Sequence, residues 1–348
     1  MEHDDAFSDN VNIASISSSA VPAQEQEEGY DDDTKETEGT RKAVTNVFKN
    51  IDATVMFGGA SKKIDINSVK ELIESKPKGF FKGIIPVDFA GLPVNMEDFR
   101  ALADAHNLWI IEDACHAPGG HFTDYKGKKQ MCGNGNYADI GIFSFHPVKH
   151  IACGEGGMIT TNSEKLYKKL SLLRTHGITK DDMAENHGGW YYEMQELGFN
   201  YRLTDIQSAL GITQLAKNQE GVKRRNEISE NYKKAFQNKI KHQSLPEGTY
   251  NAHHLFVVEV TDRKGLYDFL RTHNVFAQIH YIPLHKLPYY KEIGYGGANL
   301  SNSENYYSKC ISLPMYPSLT NEEQAFVIKK VLSYINGYSS NYTSKRRK

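Results

Sequence analysis

The sequence predicts an α/β fold: a mainly parallel sheet covered by helices, followed by a smaller α+β domain. Three observations carry this. Short apolar runs alternate with helical patterns between residues 67 and 173, and strands alternating with helices form parallel sheets buried on both faces. The run Leu108-Trp109-Ile110-Ile111-Glu112-Asp113 is apolar until it ends on two carboxylates, and in such sheets ligands bind at the carboxyl ends of the strands. From His253 the order changes to strand, helix, strand and closing helix. The expected organisation is an acidic extension over 1–42, a large domain over 43–220, a connector helix with a small domain over 221–337, and a basic tail over 338–348.

Residues 1–39 hold twelve acidic residues and one lysine. Such a segment buries too little apolar surface to offset its chain entropy and is expected to be disordered, either an acidic interaction tail or a solvated extension. Folded sequence begins near Ala43, with a candidate strand at 52–57. Asn67 or Ser68 is expected to cap a helix with Val69, Leu72 and Ile73 inward. Gly83-Ile84-Ile85-Pro86-Val87-Asp88 reads as a strand, and Asn95 as the cap of a helix burying Phe99, Leu102 and Ala103. Ile140, Ile142 and Phe143 form the next strand, a turn follows over 144–152, and Met158 opens another apolar strand. Ser163-Glu164 starts a helix with Leu166, Leu170 and Leu173 inward, and 179–196 reads as a mobile polar and aromatic loop. Thr204 and Gln207 have the spacing of a capping box for a helix with Ile206, Ala209, Leu210 and Thr213 on one face. A long basic helix over 222–238 connects to the small domain, read as strand 255–260, helix 264–273, strand 275–280 and helix 321–335. The end Lys345-Arg346-Arg347-Lys348 is a solvated basic tail or a localisation signal.

With 39% hydrophobic and 24% charged residues and a net charge of −2, nothing draws the chain to nucleic acid or to a membrane surface. No apolar run approaches the ~20 residues that span a bilayer, and no signal peptide is expected. The four cysteines, Cys115, Cys132, Cys153 and Cys310, lack C-x-x-C spacing, so reduced thiols in a cytoplasmic protein are expected. Cys115, His116, His121 and Cys132 are too irregularly spaced for a zinc site, and no metal is expected.

The chemistry concentrates in A-D-I-G-I-F-S-F-H-P-V-K-H-I-A-C-G-E-G-G-M-I-T-T, residues 138–161. Lys149 stands on a turn between two apolar strands, with Ser144 and His146 beside it. Asp113 ends the strand upstream. A lysine and an aspartate on neighbouring strand ends suit pyridoxal 5'-phosphate: the amine links to the cofactor's aldehyde and the carboxylate keeps the pyridine nitrogen protonated. Partial burial would depress the pKa of Lys149, freeing it to attack a carbonyl and then to shuttle a proton. The plain alternatives are a surface lysine and a salt-bridged or helix-capping aspartate.

The segments S-F-H-P-V-K-x-I-x-x-G-E-G-G, I-E-D-A-C-H-A and L-G-F-N-Y-R-L-T-D-I-Q-S-A-L-G, in this order and spacing, resemble the DegT/DnrJ/EryC1/StrS family of pyridoxal phosphate-dependent nucleotide-sugar aminotransferases, over roughly residues 43–335. Within it the chain is most similar to the UDP-4-amino-4,6-dideoxy-N-acetyl-β-L-altrosamine transaminase branch. The resemblance implies a fold type I transferase and a homodimer. It implies conversion of a nucleotide-linked 4-keto-6-deoxy sugar to the 4-amino sugar, with glutamate as donor. It implies that Ser144 donates to the cofactor phosphate, that His116 packs over the pyridine ring, and that Asn200 reaches the neighbouring subunit's site. Gln278, His280, Tyr281 and His285 match a segment that contacts the nucleotide sugar. Family dehydratases carry histidine where Lys149 stands, so a dehydratase is disfavoured. The family's S-G-T-x-A-L phosphate-binding segment has no counterpart in residues 1–61. The sheet is therefore expected to be incomplete at its N-terminal side, with an inactive homologue, serving as a non-catalytic partner or remnant, as the alternative.

Overall fold

The computed structural model describes residues 12–16, 65–180, 187–297 and 300–345. The expected strand at 52–57, most of the acidic extension and the last three residues of the basic tail lie outside them; the rest of that tail continues the C-terminal helix instead of standing apart from it. In chain order the elements are β1 (Asn12–Ile16), α1 (Ile66–Glu74), β2 (Gly83–Ile84), α2 (Met96–His106), β3 (Trp109–Asp113), β4 (His121–Thr123), β5 (Lys129–Met131), β6 (Ile140–Ser144), β7 (Gly157–Thr161), α3 (Glu164–Arg174), β8 (Ile178–Thr179), β9 (Glu193–Met194), α4 (Asp205–Ala216) and α5 (Asn218–Phe236). The chain then adds β10 (Lys241–His242), β11 (Thr249–Tyr250), which returns to pair with β4, β12 (Phe256–Glu259), α6 (Arg263–Thr272), α7 (Ser301–Lys309), β13 (Cys310–Leu313) and α8 (Asn321–Lys345).

The principal sheet runs β1-β7-β6-β3-β2. Its pairings β2–β3 and β3–β6 are parallel, whereas β6–β7 and β1–β7 are antiparallel. It is therefore a mixed sheet with a parallel centre, less parallel than the alternation suggested. The cause lies in the turn between β6 and β7: its residues return the chain without a crossover helix, which forces antiparallel pairing. Inside the acidic extension, Asn12–Ile16 departs from the expectation of disorder. Its backbone pairs along the whole of β7, from Asn12 opposite Thr161 to Ile16 opposite Gly157. The uncharged run V-N-I-A-S-I has the composition an edge strand accepts.

The large-domain core joins Val69 and Ile73 of α1, Met96, Phe99, Leu102 and Ala103 of α2, and Ile84 and Ile110 of the sheet. The cap of α1 is Asp65, not Asn67 or Ser68. One Asp65 carboxylate oxygen accepts the Asn67 N–H at 3.2 Å and the other the Ser68 hydroxyl at 2.8 Å, a double role that neither expected residue could fill. Asn95 precedes α2 but turns its amide to Asp98, 2.8 Å away. The predicted strand 83–88 shortens to Gly83–Ile84 with a separate bridge from Val87 to Asp113, because Pro86 has no N–H for the ladder. Ser163 caps α3 through the Leu166 N–H, and Thr204 with Gln207 forms the capping box of α4. Part of the expected loop 179–196 is ordered, since Ile178–Thr179 pairs with Glu193–Met194.

The small domain has its own core, built from Ile228, Tyr232 and Phe236 of α5 with Val258, Leu266, Leu270, Ile311 and Val331. Here β12 pairs with β13. The expected strand 275–280 reduces to one bridge between Gln278 and Ser312; the ladder position is taken by Cys310–Leu313, a four-residue run too short to stand out in the sequence. A third cluster of Phe89, Ala90, Val257, Tyr306 and Cys310 ties the small domain to the loop after Asp88.

Candidate active site

Parallel pairing of β3 with β6 sets Asp113 opposite Ile142, so Asp113 and Ser144 end adjacent strands on the same side. The chain then folds into the 145–156 turn. Phe145, Ile151 and Cys153 bury their side chains and anchor it, while Phe145 N–H donates to Gly156 O at 2.8 Å and Cys153 N–H to Phe145 O at 2.9 Å. Gly156 sits at φ 142°, where an added Cβ would meet Leu203 at 2.9 Å, so the close return to β7 needs glycine. Lys149 closes the turn, its N–H donating to His146 O at 2.9 Å. Ser144 Oγ accepts the His146 N–H at 3.4 Å.

Lys149 is half-buried, and that burial draws its pKa below the ordinary lysine range, against the opposing pull of Cys115 and Asp113. Asp113 Oδ1 accepts the Cys115 N–H at 3.0 Å, which fixes the carboxylate at the strand end. His116 is buried, and its Nδ1 accepts the Ala90 N–H at 3.3 Å. Its Nε2 therefore carries the hydrogen and faces Tyr281 Oη at 3.5 Å. Burial, reinforced by the charge of Lys149, lowers the His116 pKa to about 2, so the ring is neutral. Its ring centroid lies 4.3 Å from that of His254, which is in turn 5.5 Å from His150. Lys149 charge also depresses the pKa values of His150, His254 and His280, after burial as the main cause.

The structure thus brings Lys149, Asp113, His116, His280 and Tyr281 near one another, with Ser144 ending the strand beside that of Asp113. His280 Nδ1 lies 2.8 Å from Ser312 Oγ, and its carbonyl accepts the Tyr306 hydroxyl at 3.0 Å. Gln278 is exposed, and its backbone exchanges hydrogen bonds of 3.1 and 2.7 Å with Ser312. His285 is buried, with Nε2 3.0 Å from Glu304. It lines a cavity of about 60 Å³ with Phe89, Tyr281, Leu300 and Tyr306. Asn200 lies elsewhere, exposed, its backbone bridged to Thr175. His146, also exposed, accepts the Val148 N–H and shapes the turn.

Sequence reasoning missed His150, His254 and the layer beneath Asp113. There Asp88, Glu112 and Cys132 are buried, with one polar atom of each lying within 4.8 Å of the others. Cys132 thus sits with two carboxylates, not with Cys115, His116 and His121. The ends of the runs P-V-D and I-E-D were the available signal for the carboxylates. For His254 the dipeptide H-H offered none.

Residues 40–332 match the model of the DegT/DnrJ/EryC1/StrS aminotransferase family. The spore coat polysaccharide biosynthesis protein SpsC of Bacillus subtilis is 34% identical over 312 residues, covering 86% of this chain and 78% of that one. A UDP-4-amino-4,6-dideoxy-N-acetyl-β-L-altrosamine transaminase of Campylobacter jejuni is 32% identical over 305 residues, covering 83% of this chain and 77% of that one. Among solved structures, Helicobacter pylori PseC, an aminotransferase involved in the biosynthesis of pseudoaminic acid, superposes with a TM-score of 0.68 at 29% identity, covering 82% of this chain and 74% of that one.

Proposed function

The chain belongs to the DegT/DnrJ/EryC1/StrS aminotransferase family, with the type I fold of pyridoxal phosphate-dependent transferases, and on that premise we propose that it aminates a nucleotide-linked 4-keto-6-deoxy sugar at carbon 4, with glutamate as donor. The observation that carries this reading is the half-buried amine of Lys149 on the turn that follows β6, with Asp113 at the end of the adjacent parallel strand. These residues fit pyridoxal phosphate: an amine of lowered proton affinity for the aldehyde, a carboxylate for the ring nitrogen, a flat neutral imidazole at His116 for the ring face, and the Ser144 hydroxyl for the phosphate. When bound, that group supplies an electron sink for the carbon–nitrogen chemistry.

The chain's own residues supply the rest. Lys149 Nζ would take the proton from the α-carbon of glutamate in the first half-reaction and deliver one to carbon 4 of the sugar in the second, as base and then acid. His116, kept neutral and fixed by the Ala90 N–H, would hold its ring in one orientation. Gln278, His280 and Tyr281 would contact the nucleotide sugar, with His285 in the wall of the neighbouring cavity. Asn200 would serve the site of a second subunit in a homodimer. Support for the dimer comes from α4, which buries none of its residues: Ile206 is 85% and Ile212 70% exposed, and Leu197 nearby in sequence is 77% exposed. Large apolar side chains left this exposed mark an interface. No helix among the described residues is long and apolar enough to cross a membrane, in keeping with work in the cytoplasm on a soluble sugar nucleotide.

The test is turnover. Purified chain with pyridoxal phosphate, glutamate and a UDP-linked 4-keto-6-deoxy-N-acetyl sugar should yield the 4-amino sugar by mass spectrometry. Lys149→Ala should lower kcat by about 10²–10⁴-fold or more, the usual contribution of a positioned base. Equal activity in the variant would overturn the role of Lys149. A wild-type chain that binds the sugar nucleotide without turning it over would point instead to a non-catalytic partner.

A further inference from the structure

Beneath the cleft, Asp88 and Glu112 meet in the interior, with 0% and 3% of their surface exposed. One oxygen of each has a fixed donor: Val94 N–H to Asp88 Oδ1 and Gly133 N–H to Glu112 Oε1, both at 2.8 Å. Asp88 Oδ2 is left buried without a donor. One carboxylate oxygen of Asp88, one of Glu112 and the Cys132 thiol lie within 4.8 Å of one another. A buried carboxylate oxygen with no donor, facing a second buried carboxylate, is costly as an ion pair of like sign. One proton placed between the two removes the repulsion and gives the orphaned oxygen its hydrogen bond, as in other close carboxylate pairs.

We propose that Asp88 and Glu112 share a single proton and act as a positioning pair that clamps the end of β3, and with it Asp113. The clamp has a covalent and hydrogen-bonded route. Glu112 is the residue before Asp113; Asp88 N–H donates to Asp113 O at 3.0 Å, and Asp113 N–H to Pro86 O at 2.9 Å. The shared proton closes this ring by joining the two side chains. It also leaves one negative charge, not two, behind Asp113. The titratable groups acting on the pair are Cys132, Asp113 and, at its rim, Cys115. Burial, with the charge of Asp113 added, raises Asp88 to about 7, and burial with the charge of Asp88 raises Glu112 well above the usual carboxylate range. The shared proton stands on the chain's own geometry; only its consequence for the cofactor rests on the role of Asp113 under the proposed function.

The experiment separates the two. Infrared spectra of the cofactor-free chain at pH 7 should contain a protonated-carboxylic C=O band that is lost in both Asp88→Asn and Glu112→Gln. Glutamine keeps an oxygen for the Gly133 N–H and offers an N–H to Asp88 Oδ2, so Glu112→Gln should fold, whereas Glu112→Ala should be the less stable variant. Because the folded pair holds a proton that an unfolded carboxylate releases near pH 4, wild-type stability relative to Glu112→Gln should decline as pH rises from about 4 to 7. The ratio of their folding constants should change by up to tenfold per pH unit. In the loaded chain, Glu112→Gln should also shift the pH profile of the cofactor's visible absorbance, and Glu112→Ala should lower cofactor occupancy. Absence of the infrared band, or a stability difference that does not vary with pH, would overturn the shared proton. Stoichiometric metal in the purified protein, lost in Cys132→Ser, would overturn it too. Failure of the chain to bind pyridoxal phosphate with the band intact would count against the role of Asp113 alone.

Discussion

Arg225 shows how one side chain joins segments far apart in the chain. It lies in α5, is 5% exposed, and its Nη1 donates to the carbonyls of His253, His254 and Met315 at 3.1, 3.3 and 2.8 Å. Burial lowers its pKa to about 10, still far above neutrality, so it remains a cation. Its guanidinium fixes the His253-His254 backbone, and the His254 ring packs against that of His116 at an interplanar angle of 40°. Arg225→Ala would strand three buried acceptors. At about 1–3 kcal/mol for each buried group left unpaired, the variant should lose about 3 kcal/mol or more in a urea titration, and Arg225→Lys should recover only part, because one ammonium cannot reproduce the planar fork. A loss under about 1 kcal/mol would show that water can replace the guanidinium. The sequence marks Arg225 only as one cation among several on a basic helix; its burial arises from residues 28 to 90 positions away.

At the scale of the element, α4 is the informative case. Its capping box was legible from Thr204 and Gln207, and the expected apolar face exists, yet in the single chain that face is open. Periodicity reports that a helix has an apolar side; it does not report which molecule covers it. Ile206→Glu with Ile212→Glu should therefore convert a dimer to a monomer in sedimentation at micromolar concentration. Monomer stability should change little, since surface substitutions usually stay within about 0.5 kcal/mol. A wild-type chain that sediments as a monomer would remove the basis for Asn200 acting in trans. The opposite lesson comes from β13. Its partner β12 and the core residue Ile311 define it, and its four residues carry no signal of their own.

For the molecule as a whole, several buried imidazoles are held neutral. Burial lowers His116 to about 2 and His253 to about 3, and lowers His254 further. A group whose folded pKa is depressed contributes full stability above its unfolded pKa of about 6.5 and loses it as pH falls toward the folded value. Each such histidine can remove up to about 1.4 kcal/mol per pH unit below that point. The carboxyls of Asp88 and Glu112 oppose this over the same range, since their raised values favour folding in acid. Three or more histidines outweigh one shared proton, so the denaturation midpoint should fall between pH 7 and pH 5, and fall more steeply in Glu112→Gln. A midpoint flat across that interval would show that the imidazoles are hydrated in solution.

By itself the sequence determined the alternation that makes a parallel-centred sheet, the core faces of α1 and α2, the capping of α3 and α4, and the Lys149 and Asp113 motifs. These are local properties: period, cap chemistry and short spacing are written within a turn or two of chain. Only the tertiary structure decided the rest. The pairing of β1 with β7, the packing of His254 against His116 and the meeting of Asp88 with Glu112 join residues far apart in sequence. Burial and the protonation it imposes are properties of the surroundings, and those surroundings exist only once the distant segments have packed.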